Sequence, residues 1–229
     1  MVIAVTNLKG GVGKSTISRN IAACFADQGA KACIVDTDIE QRTTCDWVAR
    51  RIDASIHVPV FPIGNAATLV TDIRNHDRDG YNMIIVDGVP QTDEIATRTI
   101  LVSDLLLIPI TPSIDDLKSF ERFLKRFEEV RISRTDKVPA YLILNKFGGR
   151  SNEDREVREA LRLFEQYDIY PMQATLADRV AHRTASKYGL TAYEYTDEKA
   201  RAEVIALCDE ITDAIVKAKA DKATAQTFN

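Results

Sequence analysis

The sequence predicts an α/β protein: a doubly wound, mostly parallel sheet with helices on both faces. Three observations predict it. Short apolar runs alternate with amphipathic stretches along the chain. Several runs are apolar at every position, as strands covered on both faces must be. A glycine-rich turn joins the first run to the first helical stretch, and ligands in such folds sit at the C-terminal ends of strands.

The elements follow in order. Apolar runs predict strands at Val2–Thr6, Ala32–Asp36, Val58–Pro62, Met83–Asp87, Leu105–Ile110, Ala140–Asn145 and Ile169–Ala174. Between and after them, helical periodicity covers 15–28, 41–51, 65–76, 93–102, 113–131, 152–166, 177–188 and 197–218. The last carries Val204, Cys208, Ile211 and Ile215 on one stripe, the mark of core packing. No repeat and no linker interrupts the pattern. Residues 1–218 are expected to form a single domain, and the polar 219–229 a frayed tail.

Bulk properties exclude several classes. With 229 residues the chain is long enough for a sizeable core. A net charge of −4 argues against a whole-surface nucleic-acid binder but leaves room for a local basic patch. Cys24, Cys33, Cys45 and Cys208 lack paired metal spacing and read as inert thiols of a reducing cytoplasm. No stretch approaches the roughly 20 apolar residues of a membrane span. Met1 leads straight into a strand, so neither a signal peptide nor an N-terminal DNA-reading domain is expected.

The chemistry concentrates in Lys9-Gly10-Gly11-Val12-Gly13-Lys14-Ser15-Thr16. A glycine-rich turn between strand and helix points backbone N–H groups at one spot, and the helix N-terminus adds partial positive charge. That is a phosphate cradle. Lys14 is placed to reach the β- and γ-phosphates, and the Ser15 hydroxyl to hold Mg²⁺. Leu8 stands where the usual loop has its first glycine, and a second lysine, Lys9, precedes the double glycine.

This octapeptide resembles the deviant Walker A box of the ParA/MinD group of P-loop ATPases. The resemblance covers nearly the whole chain and is closest to small plasmid-partition ParA proteins. It implies slow ATP hydrolysis with Mg²⁺. It also implies that Lys9 reaches the nucleotide of a partner subunit, so that the active form is an ATP-sandwiched homodimer. Lys9, Lys14 and Asp38 are then the catalytic residues.

Three further segments sit at strand ends. Val35-Asp36-Thr37-Asp38 offers a carboxylate pair; the resemblance makes Asp38 the residue that positions the attacking water and Asp36 a support for the metal shell. The box lacks the usual proline, and Gln41 comes one place late. Met83-Ile84-Ile85-Val86-Asp87 reads as a Walker B strand, with Asp87 on Mg²⁺ through water. Gly88 and Pro90 suit a hinge that senses the γ-phosphate. Asn145 resembles the family's adenine-reading residue; a turn or cap asparagine is the alternative.

Arg179, Arg183 and Lys187 are spaced four apart and share one face of the expected helix 177–188. The segment resembles the family's nonspecific DNA-binding stretch. A solvated helix face is the plainer reading, and Lys118, Arg122 and Arg126 form a rival stripe.

The resemblance implies a partition ATPase. It would bind MgATP, dimerise, bind DNA nonspecifically and release on hydrolysis stimulated by a centromere-bound adaptor. It would drive plasmid or chromosome segregation in the cytoplasm, associated with the nucleoid. The rival is a MinD-like or cargo-positioning ATPase acting on a membrane or protein cargo without a DNA track. The end of the chain, Lys217-Ala218-Lys219-Ala220-Asp221-Lys222, lacks the bulky apolar residues of a membrane helix, so no stable membrane association is expected. A metabolic ligase such as dethiobiotin synthase is a third reading, against which Lys9 argues.

Overall fold

The computed structural model describes residues 1–90, 93–134, 136–148 and 152–227; the side chains of 93, 114–119, 152–154, 222 and 224–227 lie outside the description. Among the described residues seven strands form one sheet: β1 (Val2–Val5), β2 (Ala32–Asp36), β3 (Val60–Pro62), β4 (Met83–Asp87), β5 (Leu105–Ile110), β6 (Ala140–Leu144) and β7 (Ile169–Pro171). Their order is β3-β2-β4-β1-β5-β6-β7, and every pairing is parallel.

The helices are α1 (Lys14–Asp27), α2 (Thr43–Ala49), α3 (Ala66–Arg78), α4 (Asp93–Val102), α5 (Ile114–Ile132), α6 (Asn152–Leu161), α7 (Val180–Lys187) and α8 (Glu198–Thr227). Strand residues alternate between two cores, as the period of two requires. Val2, Ala4, Cys33, Val35, Ile84, Val86, Leu106 and Ile108 pack with Leu69, Ile73, Ile100 and Phe123 of α3 to α5. Ile3, Val5, Ile34, Ile85, Leu105 and Leu107 pack with Ile17, Ile21, Trp47, Val204 and Ile211 of α1, α2 and α8. Phe120, Phe123 and Phe127 of α5 stack in a row, with ring centroids 5.4 and 6.4 Å apart.

Several ends differ from the sequence reading, each for a local reason. β3 starts after Pro59, which has no N–H to give a ladder. β7 stops at Pro171 because the Glu210 carboxylate takes the N–H groups of Gln173 and Ala174 at 2.9 and 2.8 Å. The stretch after α6 tightens into a 3-10 turn, Arg162–Tyr167. α7 starts at Val180, not 177, because Glu203 captures the Ala177 N–H at 3.0 Å and the Arg179 guanidinium. α8 runs to Thr227, through most of the segment read as a polar tail; alanine and lysine there are good helix formers.

The register fixes the site. Val5 pairs with Asp87, and Asp36 pairs with Asp87, so the loops after β1, β2 and β4 leave the sheet at one level.

Candidate functional site: a phosphate cleft

The loop between β1 and α1 follows from its glycines. Gly11 (φ 77°) and Gly13 (φ 98°) are left-handed, a region that costs other residues strain, and Gly13 caps α1. A Cβ on Gly13 would also collide with the Asn145 amide. Asn7 sets the approach: its amide donates to Pro109 O at 2.8 Å and its Oδ1 accepts from Lys9 N at 3.0 Å.

The loop opens on a cleft of about 340 Å³. Gly10, Gly11, Gly13, Lys14, Ser15 and Thr16 line one side. Asp38, Gln41 and Thr43 follow β2, Gly88 and Pro90 follow β4, and Asn145 and Lys146 follow β6. The far wall comes from Asp178, Arg179, His182 and Arg183.

Lys14 is buried, and its Nζ donates to Lys9 O at 2.8 Å. Burial lowers its pKa to about 8, against the pull of Asp87 and Asp38. Lys9 does not line the cleft.

Asp87 is wholly buried. It accepts from Thr44 Oγ1 at 2.6 Å and Ser18 Oγ at 3.2 Å, and the Ser15 hydroxyl favours its charged form. Burial pushes its pKa up to about 6, and Asp36 adds repulsion; the hydrogen bonds and Arg19 pull the other way. Asp36 is equally buried, and backbone groups occupy both its oxygens: Asp38 N on one and Cys45 N on the other, each at 3.1 Å. It thereby holds the turn and the start of α2. Asp38 accepts from Gln41 N at 3.0 Å, and Arg42 (φ 50°) completes the proline-free turn. Thr37 Oγ1 donates to Asp87 O at 2.7 Å and accepts from Val89 N at 3.0 Å, joining the loops after β2 and β4.

Asn145 Nδ2 donates to Val12 O at 2.7 Å. The amide clasps the phosphate loop, a contact the sequence reading did not weigh. Lys146 (φ 56°) adds a second clasp, from Nζ to Gly11 O at 3.1 Å.

The three cations of the basic stripe do not share a helix face. Arg179 is the extended N-cap of α7 and chelates Glu203 Oε1 through two nitrogens, at 3.0 and 2.5 Å. Arg183 pairs with Asp178 at 3.1 Å, and Lys187 is exposed. Of the rival stripe, the Lys118 side chain lies outside the described residues, and Arg126 pairs with Glu129 at 3.3 Å.

Sequence reasoning missed Ser18, Thr44, Arg19 and His182. Ser18 and Arg19 share the α1 face of Ser15 by helical spacing, which was a usable signal. Thr44 and His182 carry none. Both His182 ring nitrogens are buried without a partner among the described residues, and burial lowers the pKa.

The oxygen donors fit Mg²⁺. Asp87 and the Ser15 hydroxyl are hard ligands, and the described residues hold no cluster of three or more His, Cys, Asp or Glu side chains that would form an all-protein cage. Mg²⁺ binds through one or two carboxylates, waters and phosphates.

Fold and site together define a P-loop nucleotide-binding protein. Residues 3–191 match the family described as the CobQ/CobB/MinD/ParA nucleotide binding domain, and the chain belongs to that family. It is 30% identical over 201 residues to the maintenance of carboxysome distribution protein A of Halothiobacillus neapolitanus, covering 84% of this chain and 86% of that one. It is 24% identical over 238 residues to the chromosome-partitioning ATPase Soj of Thermus thermophilus, covering 88% and 96%. The structure of the Pyrococcus furiosus cell division ATPase MinD superposes with a TM-score of 0.74 at 20% identity, covering 93% and 98%. The chain is a ParA/MinD-type ATPase, and MgATP is the nucleotide of that group. Among the described residues no helix is long and apolar enough to cross a membrane.

Proposed function

We propose that the protein is an ATP-driven positioning ATPase. It dimerises on MgATP, binds DNA without sequence preference, and lets go when a cargo-bound adaptor stimulates hydrolysis. On this reading it works in the cytoplasm, on the nucleoid. The observation that carries the reading is the division of labour between the two lysines. Lys14 lines the cleft and donates within its own loop, while Lys9 does not line it. A lysine set outside its own cleft stands where it can serve a partner's nucleotide.

The residues then act as follows. Backbone N–H groups of 10–16 and the α1 N-terminus cradle the phosphates. Lys14 exchanges the Lys9 carbonyl for phosphate oxygens. Ser15 and Asp87 hold the metal's shell, and Asp36 keeps the turn in place. Asp38 orients the attacking water. Mg²⁺, when bound, neutralises charge on the β- and γ-phosphates. Thr37, shared by the loops after β2 and β4, moves them together when the γ-phosphate is lost.

Arg183 lines the cleft and, with Lys187, is exposed on α7, so pairing two subunits would bring two weak patches onto one duplex. The cargo is a plasmid or chromosome carrying a centromere-bound adaptor. A second reading, a protein body as cargo, is favoured by the 30% match to a carboxysome-distribution protein. DNA binding measured against salt, with ATP and with ADP, tests the track. ATP-dependent binding is expected to weaken evenly across sequences on neutralising Arg179, Arg183 and Lys187. No ATP-dependent binding at low salt would contradict the DNA track.

A further inference from the structure

Two guanidinium groups lie against the ring of Trp47, and among the described residues only one is ion-paired. Arg51 lies 4.5 Å from the ring centroid and forms a buried pair with Glu194 at 2.8 Å. Arg19 lies 5.7 Å from it and is 8% exposed. Its Nε donates to Ser15 O at 2.8 Å and its Nη1 to Ser186 Oγ at 3.2 Å. Among the described residues its hydrogen-bond partners and the ring are neutral, and Asp87 and Asp36 act on it only through space.

Arginine is almost never buried without an anion. Asp87 and Asp36 are the nearby carboxylates, and their oxygens are committed to Thr44, Ser18, Asp38 N and Cys45 N. Arg19 also lines the cleft, on the α1 face that carries Ser15 and Ser18. A directly bonded anion is therefore left for the ligand to supply.

We propose that Arg19 binds a phosphate oxygen of the nucleotide and positions the phosphate chain; this rests on the nucleotide reading of the same cleft. The planar guanidinium is held at two points before the ligand arrives, so little freedom is lost on binding. The anchor at Ser186 ties that event to α7.

Titration calorimetry with ATP, tripolyphosphate and adenosine tests it on the full chain. Arg19→Gln is expected to weaken ATP and tripolyphosphate at least tenfold, the effect of losing a charge-assisted hydrogen bond, and to leave adenosine unchanged. Arg19→Lys, which keeps the cation, should recover part of the loss. Unchanged tripolyphosphate affinity in folded Arg19→Gln would overturn the proposal, as would equal losses for all three ligands in both variants. If Arg19→Gln does not fold, Ser186→Ala takes its place: a several-fold loss of tripolyphosphate affinity is expected, and no loss overturns it. A wild-type protein that binds no ATP would overturn the nucleotide reading itself.

Discussion

The hydroxyl of Thr44 lies 2.6 Å from Oδ2 of Asp87, its partner 43 positions along the chain. Ser18 occupies the other oxygen. The carboxylate at the end of β4 is thus joined to α1 and α2 before any nucleotide enters. Its protonation is the first thing the geometry predicts.

Asp87 moves from 3.8 to about 6 by burial. Between those values the folded chain keeps a proton that the unfolded chain has released. The stability cost is therefore absent below about pH 4 and complete above about pH 6. Two units correspond to about 3 kcal/mol, and reorienting the hydroxyls offsets part. Asp87→Asn should stabilise the nucleotide-free protein at pH 7 by ~1–2 kcal/mol, a rise of roughly 2–8 °C in Tm. The gain should vanish at pH 4, and Mg²⁺-dependent ATP binding should be lost. Thermal melts at both pH values check it.

Lys14 is lowered to about 8, and phosphate contact restores its charge. Nucleotide binding then takes up a proton above that pH. ATP affinity should be highest below pH 8 and fall by up to about tenfold per pH unit above it. Lys14→Ala should abolish binding. Calorimetry in two buffers of different ionisation enthalpy measures the proton uptake directly.

Arg51 and Glu194 form two parallel hydrogen bonds, 2.9 and 2.8 Å, in a nearly dry setting. Arg51 also donates to Gly189 O and Ile56 O, so it fixes the end of α2 to the loop after α7. Glu194→Ala leaves that charge buried and unpaired, at about 3–5 kcal/mol. A fall in Tm of roughly 6–20 °C is expected. Arg51→Met with Glu194→Leu should recover most of it.

The strands were legible because β1 and β5 are apolar at every position and β2 and β4 are apolar up to their terminal aspartates. The glycine-rich loop was legible because its glycines stand where the backbone turns left-handed into α1. The element ends were not, because distant side chains set them: Glu210 ends β7 and Glu203 delays α7, and neither is near in sequence. The far wall of the cleft was hidden for the same reason. Asp178, Arg179 and His182 reach the nucleotide side only through the fold, and helical spacing alone grouped Arg179 with Arg183 and Lys187. Asn145 was seen as a strand-end amide, but its hold on Val12 O depends on the packing of β6 beside the phosphate loop.

In the proposed active form two chains share two nucleotides. Asp38→Ala removes the carboxylate that would position water and leaves Lys14, Ser15 and Asp87 in place, so bound ATP should persist. Light scattering of this variant with MgATP is the direct measurement. A dimer that forms with ATP, is absent with ADP, and is lost when Lys9→Ala is added is the predicted result. A monomer at every nucleotide state would contradict the sandwich.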